Sequence, residues 1–223
     1  KSDIAWRDTS GNVAMWLMNG FSFANNAVIG NVPTSWSIVG QRDFNGDGKS
    51  DILWRDTSGN VAMWLMNGFS NTSNAVLGNV ATSWSIVGTG DFNSDGKGDI
   101  LWRDTSGNVA IWLMNGLSVS SSAIIGNVPT SWTIMGSCGA GGILWRNTNG
   151  DVAIWVMNGL SVSSSAIIGN VPTSWSIVGV GDFNGDGHVD ILWRNTNGDV
   201  AIWLMNGFSI VSTAVIANVP TSW

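Results

Sequence analysis

A chain of 223 residues, 44% apolar and 11% charged, has ample material for a packed core and none of the compositional marks of disorder. Its 15 acidic residues are all Asp, its net charge is −6 and its apolar runs reach only about six residues, which argues against a phosphate-binding surface, hence nucleic acid, and against a bilayer-spanning helix. The single cysteine, Cys138, excludes an internal disulfide.

In chain order the sequence divides into five units of one tandem repeat, approximately 1–35, 36–83, 84–131, 132–174 and 175–223, expected to form a single domain over 1–223. Three columns of tryptophan mark them. Trp6, Trp54, Trp102, Trp145 and Trp193 are spaced by 48, 48, 43 and 48 residues. Trp16, Trp64, Trp112, Trp155 and Trp203 form a second column, and Trp36, Trp84, Trp132, Trp175 and Trp223 a third.

The first unit begins late in the repeat, because Asp3 aligns with Asp51, and it supplies only three of four strand candidates. Starting at Lys1 without Met, the chain reads as a processed form or a piece of something longer, and the repeat phase favours the piece. A full unit is read best from Trp84 to Val128. W-S-I-V-G-T-G-D-F is a short β-branched run, followed by an acidic loop and a second run, D-I-L-W-R-D. T-S-G-N is a tight turn, and V-A-I-W-L-M is apolar on both faces, with Val109, Ile111 and Leu113 on one and Ala110, Trp112 and Met114 on the other. A strand buried on both faces lies between two other layers. A Ser-rich loop, Ser118 to Ser122, then leads to the last strand, A-I-I-G-N-V, and P-T-S-W enters the next unit. No segment has the spacing of a long amphipathic helix. The expected fold is all-β: a five-bladed β-propeller of four-stranded antiparallel blades, the first lacking its innermost strand. Closure then needs a three-stranded blade, an adjoining chain or a strand from another copy.

The acidic loop carries the sharpest chemistry. Asp43, Asn45, Asp47 and Asp51 stand at positions 1, 3, 5 and 9, with Gly48 at 6 and Lys49 at 7, where only the backbone carbonyl is offered. Alternate oxygens in a tight turn converge on one hard cation, so this spacing predicts a calcium loop. It recurs as Asp91, Asn93, Asp95, Lys97 and Asp99, and as Asp182, Asn184, Asp186, His188 and Asp190, giving three complete sites. The competing reading is a metal-free turn in which Asp and Asn bond their own backbone. The fourth unit, T-I-M-G-S-C-G-A-G-G-I-L, is five residues shorter there and has no carboxylate. Cys138 in that connection reads as a small residue at a deletion, with a reactive thiol as the other reading.

D-F-N-G-D-G-x-x-D followed by D-I-L-W-R resembles the FG-GAP and VCBS repeats, which form blades of calcium-binding propellers in integrin heads and in many secreted bacterial proteins. The W-L-M-N-G and P-T-S-W segments look like a Trp-rich bacterial subgroup. The resemblance implies that the acidic positions above are Ca2+ ligands and that the protein is secreted.

For function, the face bearing the turns between the second and third strands of each unit and the P-T-S-W segments joins indoles to amides and carboxylates, a mixture that suits sugars. The expected ligand residues are Trp36, Trp84, Trp132 and Trp175, with Asp56, Asp104, Asn147 and Asn195; the plainer reading is that these are core caps and turns. A lectin-like, multivalent glycan-binding module is the leading expectation. A structural or adhesive module binding an extracellular protein partner is the alternative, and a polysaccharide-active enzyme ranks last, since the chain has no Glu, no Tyr and one His. Arg7, Arg55, Arg103, Arg146 and Arg194, one per unit, are expected to satisfy neighbouring carbonyls or Asp.

Overall fold

The computed structural model describes residues 3–138 and 141–222. Lys1, Ser2, Trp223 and residues 139–140 lie outside them, so the last member of the third Trp column is not placed. The described residues form nineteen strands and no helix, arranged as five sheets. The first sheet is β1 (Ile4–Arg7), β2 (Asn12–Asn19) and β3 (Ser22–Asn31). The second is β4 (Trp36–Arg42), β5 (Asp51–Asp56), β6 (Asn60–Asn67) and β7 (Ser70–Asn79). The third is β8 (Trp84–Gly90), β9 (Asp99–Asp104), β10 (Asn108–Asn115) and β11 (Ser118–Asn127). The fourth runs β12 (Trp132–Cys138), β13 (Gly142–Asn147), β14 (Asp151–Asn158) and β15 (Ser161–Asn170). The fifth runs β16 (Trp175–Gly181), β17 (Asp190–Asn195), β18 (Asp199–Asn206) and β19 (Ser209–Asn218). All pairings are antiparallel and consecutive, so each repeat unit is one blade of a five-bladed propeller whose first blade has three strands.

The core lies between blades. Val109, Ile111 and Leu113 of β10 pack on blade four, whereas Ala110 and Met114 pack on blade two, as a strand apolar on both faces requires. Four such cores join blades one to two, two to three, three to four and four to five. The first strands β4, β8, β12 and β16 lie next to one another on the inside. Within a blade the first two Trp columns stack, Trp54 on Trp64 at 5.1 Å and Trp102 on Trp112 at 5.0 Å between ring centroids, at about 53°.

One expectation is corrected. Ser118 to Ser122 is not a loop: β11 begins at Ser118, and the connection from β10 is only the Gly116–Leu117 turn. As the outermost strand, β11 needs no apolar residue on its outer face, and Ser120, Ser121 and Ser122 are paired in the ladder or exposed. Edge strands accommodate such polar runs.

Candidate functional site: acidic loops and tryptophan clefts

Each acidic loop folds around its first residue. Asp43 Oδ1 accepts the backbone N–H groups of Asn45, Gly46 and Asp47 at 3.2, 2.7 and 3.2 Å, and Oδ2 accepts that of Gly48 at 2.6 Å. Asn45 Oδ1 accepts Asp47 N–H, and Asp47 Oδ1 accepts Lys49 N–H. Gly48 sits at φ +80°, a conformation that L side chains reach only with strain. The loops at 91–99 and 182–190 repeat the contacts of positions 5, 6 and 7 through Asp91, Asn93 and Asp95 and through Asp182, Asn184 and Asp186, with the N–H of Lys97 and of His188 in place of Lys49. The backbone amides, Gly187 N–H foremost, hold the Asp182 carboxyl below its ordinary range.

The ninth residue works differently. Asp51 is fully buried and accepts Phe44 N–H and Met66 N–H at 2.9 Å each, tying the loop to the next strand but one. Asp99 and Asp190 do the same to Phe92 and Met114 and to Phe183 and Met205. Burial raises the Asp99 pKa to about 6, the two amides oppose the rise, and the charges of Asp95 and Asp91 add to it. In the fourth blade Gly142 stands in this place, and the backbone carbonyl of Gly141 accepts Met157 N–H at 2.9 Å instead.

The donors fit a hard divalent ion chemically: all are oxygens and no thiolate competes, while Asp51, Asp99 and Asp190 keep a second lone pair on each oxygen beyond the one amide it accepts. The mutual repulsion of three carboxylates is what a cation would relieve. The loop oxygens are engaged by their own backbone, and among the described residues no group of three His, Cys, Asp or Glu side chains stands close enough to hold a metal. Cys138 is largely buried, and burial pushes its thiol up to about 11, so the thiolate is scarce at neutral pH.

The second set of sites is four equivalent clefts of about 190, 210, 470 and 260 Å³, in blades two to five in turn. All three Trp columns meet in each. In blade two Trp36, Trp54 and Trp64 line the cleft with Asn74, Ala75 and Val76 of β7. In blade three Trp84, Trp102 and Trp112 do so with Ser122 and Ile124. Trp132, Trp145 and Trp155 with Ser165 repeat it in blade four, and Trp175, Trp193 and Trp203 with Thr213 in blade five. Large aliphatic side chains stand exposed at the rim, Val76 at 64%, Ile124 at 62%, Ile167 at 63% and Val215 at 60%. At the base, the indole N–H groups of Trp54, Trp102, Trp145 and Trp193 are buried without a hydrogen-bond partner.

Sequence reasoning found one wall of these clefts and missed the rest. Trp36, Trp84, Trp132 and Trp175 do line them. Asp56, Asp104, Asn147 and Asn195 pair with those Trp in the strand register but do not line the clefts; their side chains cap the β-turns. Asp56 accepts Ser58 N–H, Asn60 N–H and Asn60 Nδ2, the last of which does most to lower its pKa. Polar lining comes from the outermost strands, and the other two Trp columns, read as packing, supply the remaining indoles. The recurrence of the Trp columns together with alternating Asn, Ser or Thr at positions 74, 122, 165 and 213 was the available signal.

The arginines behave as expected. Arg103 Nη2 donates to the Val128 and Pro129 carbonyls at 3.0 Å each, and its guanidinium lies 5.2 Å from the Trp145 ring centroid in the next blade. Arg7, Arg55 and Arg146 repeat both contacts.

These features define a tandem-repeat β-propeller that presents recurring sites. Residues 43–102 match the FG-GAP-like repeat and residues 174–205 the FG-GAP repeat, so the propeller carries FG-GAP repeats in these two segments. No curated protein matches it in sequence. Among solved structures it is similar to AofleA from Arthrobotrys oligospora, at 12% identity and a TM-score of 0.57 over 97% of this chain and 69% of that one. It is also similar to Chaetomium thermophilum Raptor, at 11% identity and a TM-score of 0.56 over 97% and 20%. Yeast RCC1 (Prp20), solved bound to Kap60, aligns at 14% identity and a TM-score of 0.50 over 90% of this chain. The chain spans about half of that protein, 53%. At these identities the likeness is one of fold.

Proposed function

We propose that this propeller is a secreted, calcium-stabilised module that binds carbohydrate at several equivalent sites. The observation that carries the reading is the cleft in which three indoles meet, built four times from matching residues. An indole plane against the C–H face of a pyranose removes apolar surface from water, and in this reading Asn74, Ser122, Ser165 or Thr213, which line the clefts, bond its hydroxyls. Equivalent weak sites on one body gain avidity by orders of magnitude on a multivalent surface.

In this reading Asp43, Asn45, Asp47 and Asp51 and their two counterpart sets hold Ca2+, which neutralises the clustered carboxylates and fixes the loops. Loop sites of this kind with Kd near 10⁻⁴ to 10⁻³ M fill at extracellular calcium levels, which suits an exported protein. A protein partner is the second reading, favoured by the exposed Val76, Ile124, Ile167 and Val215 at the cleft rims. FG-GAP propellers are as a rule interaction modules without catalysis.

A broad glycan array decides between them. Binding by the wild type, lost on replacing Trp64, Trp112, Trp155 and Trp203 together by Ala while the far-UV spectrum is kept, is the expected result. Silence of the calcium-loaded protein across the array would remove the carbohydrate reading and leave the protein-partner one.

A further inference from the structure

The four inter-blade cores are assembled from two unlike faces. In the core between blades two and three, the earlier blade gives Phe44, Leu53, Val61 and Met63, and the later one gives Ile100, Trp102, Ala110 and Met114. The backbone latches the same pair, since Gly116 N–H donates to the Phe44 carbonyl at 2.8 Å, as Gly159 N–H does to Phe92 between blades three and four.

The two end blades each carry one of these faces unmatched. On blade five Phe183 is 46% exposed, although its equivalents Phe44 and Phe92 are 0% and 1% exposed, and Val178, in the repeat position of the core-packed Val39 and Val87, is 53% exposed. On blade one Trp6 is 48% exposed, whereas Trp54, Trp102, Trp145 and Trp193 are each at 1%. Ile4 is 39% exposed, against 1% for Ile52 and 0% for Ile100. No core cluster among the described residues joins blades one and five. The inner edge of β1 is also open among the described residues, because that sheet ends at β1 where each other blade has a further, innermost strand. An open edge beside an apolar face is a template for another chain.

We infer that the chain associates head to tail with a second copy of itself, the free face of blade five in one copy receiving the free face of blade one in the next. The interface is the one the chain already makes four times. Its residues correspond position by position: Ile4, Trp6, Ala14 and Met18 stand where blade four offers Ile143, Trp145, Ala153 and Met157 to blade three. The remaining latch has the acceptor, the Phe183 carbonyl, at one end and the donor, Gly20 N–H, at the other. Two different faces meeting make a heterologous contact, so assembly proceeds beyond a symmetric dimer.

The test is sedimentation velocity with native mass spectrometry on the 223-residue chain, from about one micromolar upwards, with Trp6→Asp and Phe183→Asp, each first checked for a wild-type far-UV spectrum. The wild type is expected to gain mass with concentration. Each variant alone is expected to stay monomeric, and an equimolar mixture to give a heterodimer and nothing larger, because one intact pair of faces remains. Should either variant fail to fold, Ile4→Asp or Val178→Asp takes its place. A wild type that remains monomeric to a few hundred micromolar overturns the inference. So does a wild-type oligomer that both variants form unchanged, or a mixture that stays monomeric.

Discussion

At the scale of single residues, the ninth position of the acidic loop does more than its spacing announces. Asp99 is a buried carboxylate whose two oxygens each take a backbone N–H, Phe92 on one side and Met114 on the other. Removing it leaves two buried amides unpaired, each costing about 1–3 kcal/mol. Asp99→Ala is therefore expected to lower the unfolding free energy by about 2–5 kcal/mol in EDTA, where no metal contributes, with Asp99→Asn losing less because one oxygen acceptor remains. Urea denaturation followed by Trp fluorescence measures it, and a loss below about 0.5 kcal/mol would show that these two bonds carry no weight. Blade four supports the structural role, because without the carboxylate it supplies a backbone carbonyl, that of Gly141, to the equivalent Met157. Nothing in the D-x-N-x-D-G-x-x-D spacing reveals that its last carboxylate is spent on amides, since position 9 is read from the loop while its partner Met114 lies fifteen residues further on.

Between elements, the arginine after the first-column tryptophan is the clamp. Arg103 fastens β9 to the link between β11 and β12 through two carbonyls and covers Trp145 of the following blade. Hydrogen bonds from a charged donor and a cation–π contact together make Arg103→Ala cost about 2–4 kcal/mol. Arg103→Lys should recover only part of that, since an ammonium lacks the planar fork that reaches two carbonyls while stacking. Chemical denaturation of the three proteins side by side checks the order, and a lysine variant as stable as wild type would contradict it. The strands themselves were legible in sequence, because the repeat displays the same β-branched runs and Asn-Gly turns five times. Strand β11 was the exception at its start. Ser118 to Ser122 has the composition of a loop, and only the ladder with Leu113, Trp112 and Met114 makes it a strand. The clefts were half legible for a related reason: Trp84, Trp102 and Trp112 are far apart in sequence, and their meeting depends on which strand faces the blades put together.

For the whole molecule, stability is distributed over blades that touch only their neighbours, so each staple acts locally and their contributions add along the array. The three acidic loops belong to blades two, three and five, while the fourth has a short Gly-rich connection with no carboxylate. If each loop binds Ca2+ with Kd near 10⁻⁴ M, millimolar calcium stabilises the native state by about 1.4 kcal/mol per site, or about 4 kcal/mol in all. In a chain of this size 1 kcal/mol moves the melting midpoint by about 2–4 °C, so the shift between EDTA and 1 mM CaCl2 is expected near 10 °C. Magnesium at the same concentration should give far less, because it holds its water and demands a tighter octahedral shell than a flexible loop supplies. Differential scanning calorimetry reads the shift directly. Amide exchange locates it, with new protection expected at Gly48, Gly96 and Gly187 and none at Gly141. Equal melting curves in EDTA and calcium would instead identify the loops as self-bonded Asx turns, and protection at Gly141 would mean that calcium acts on the propeller as a whole and not through its loops.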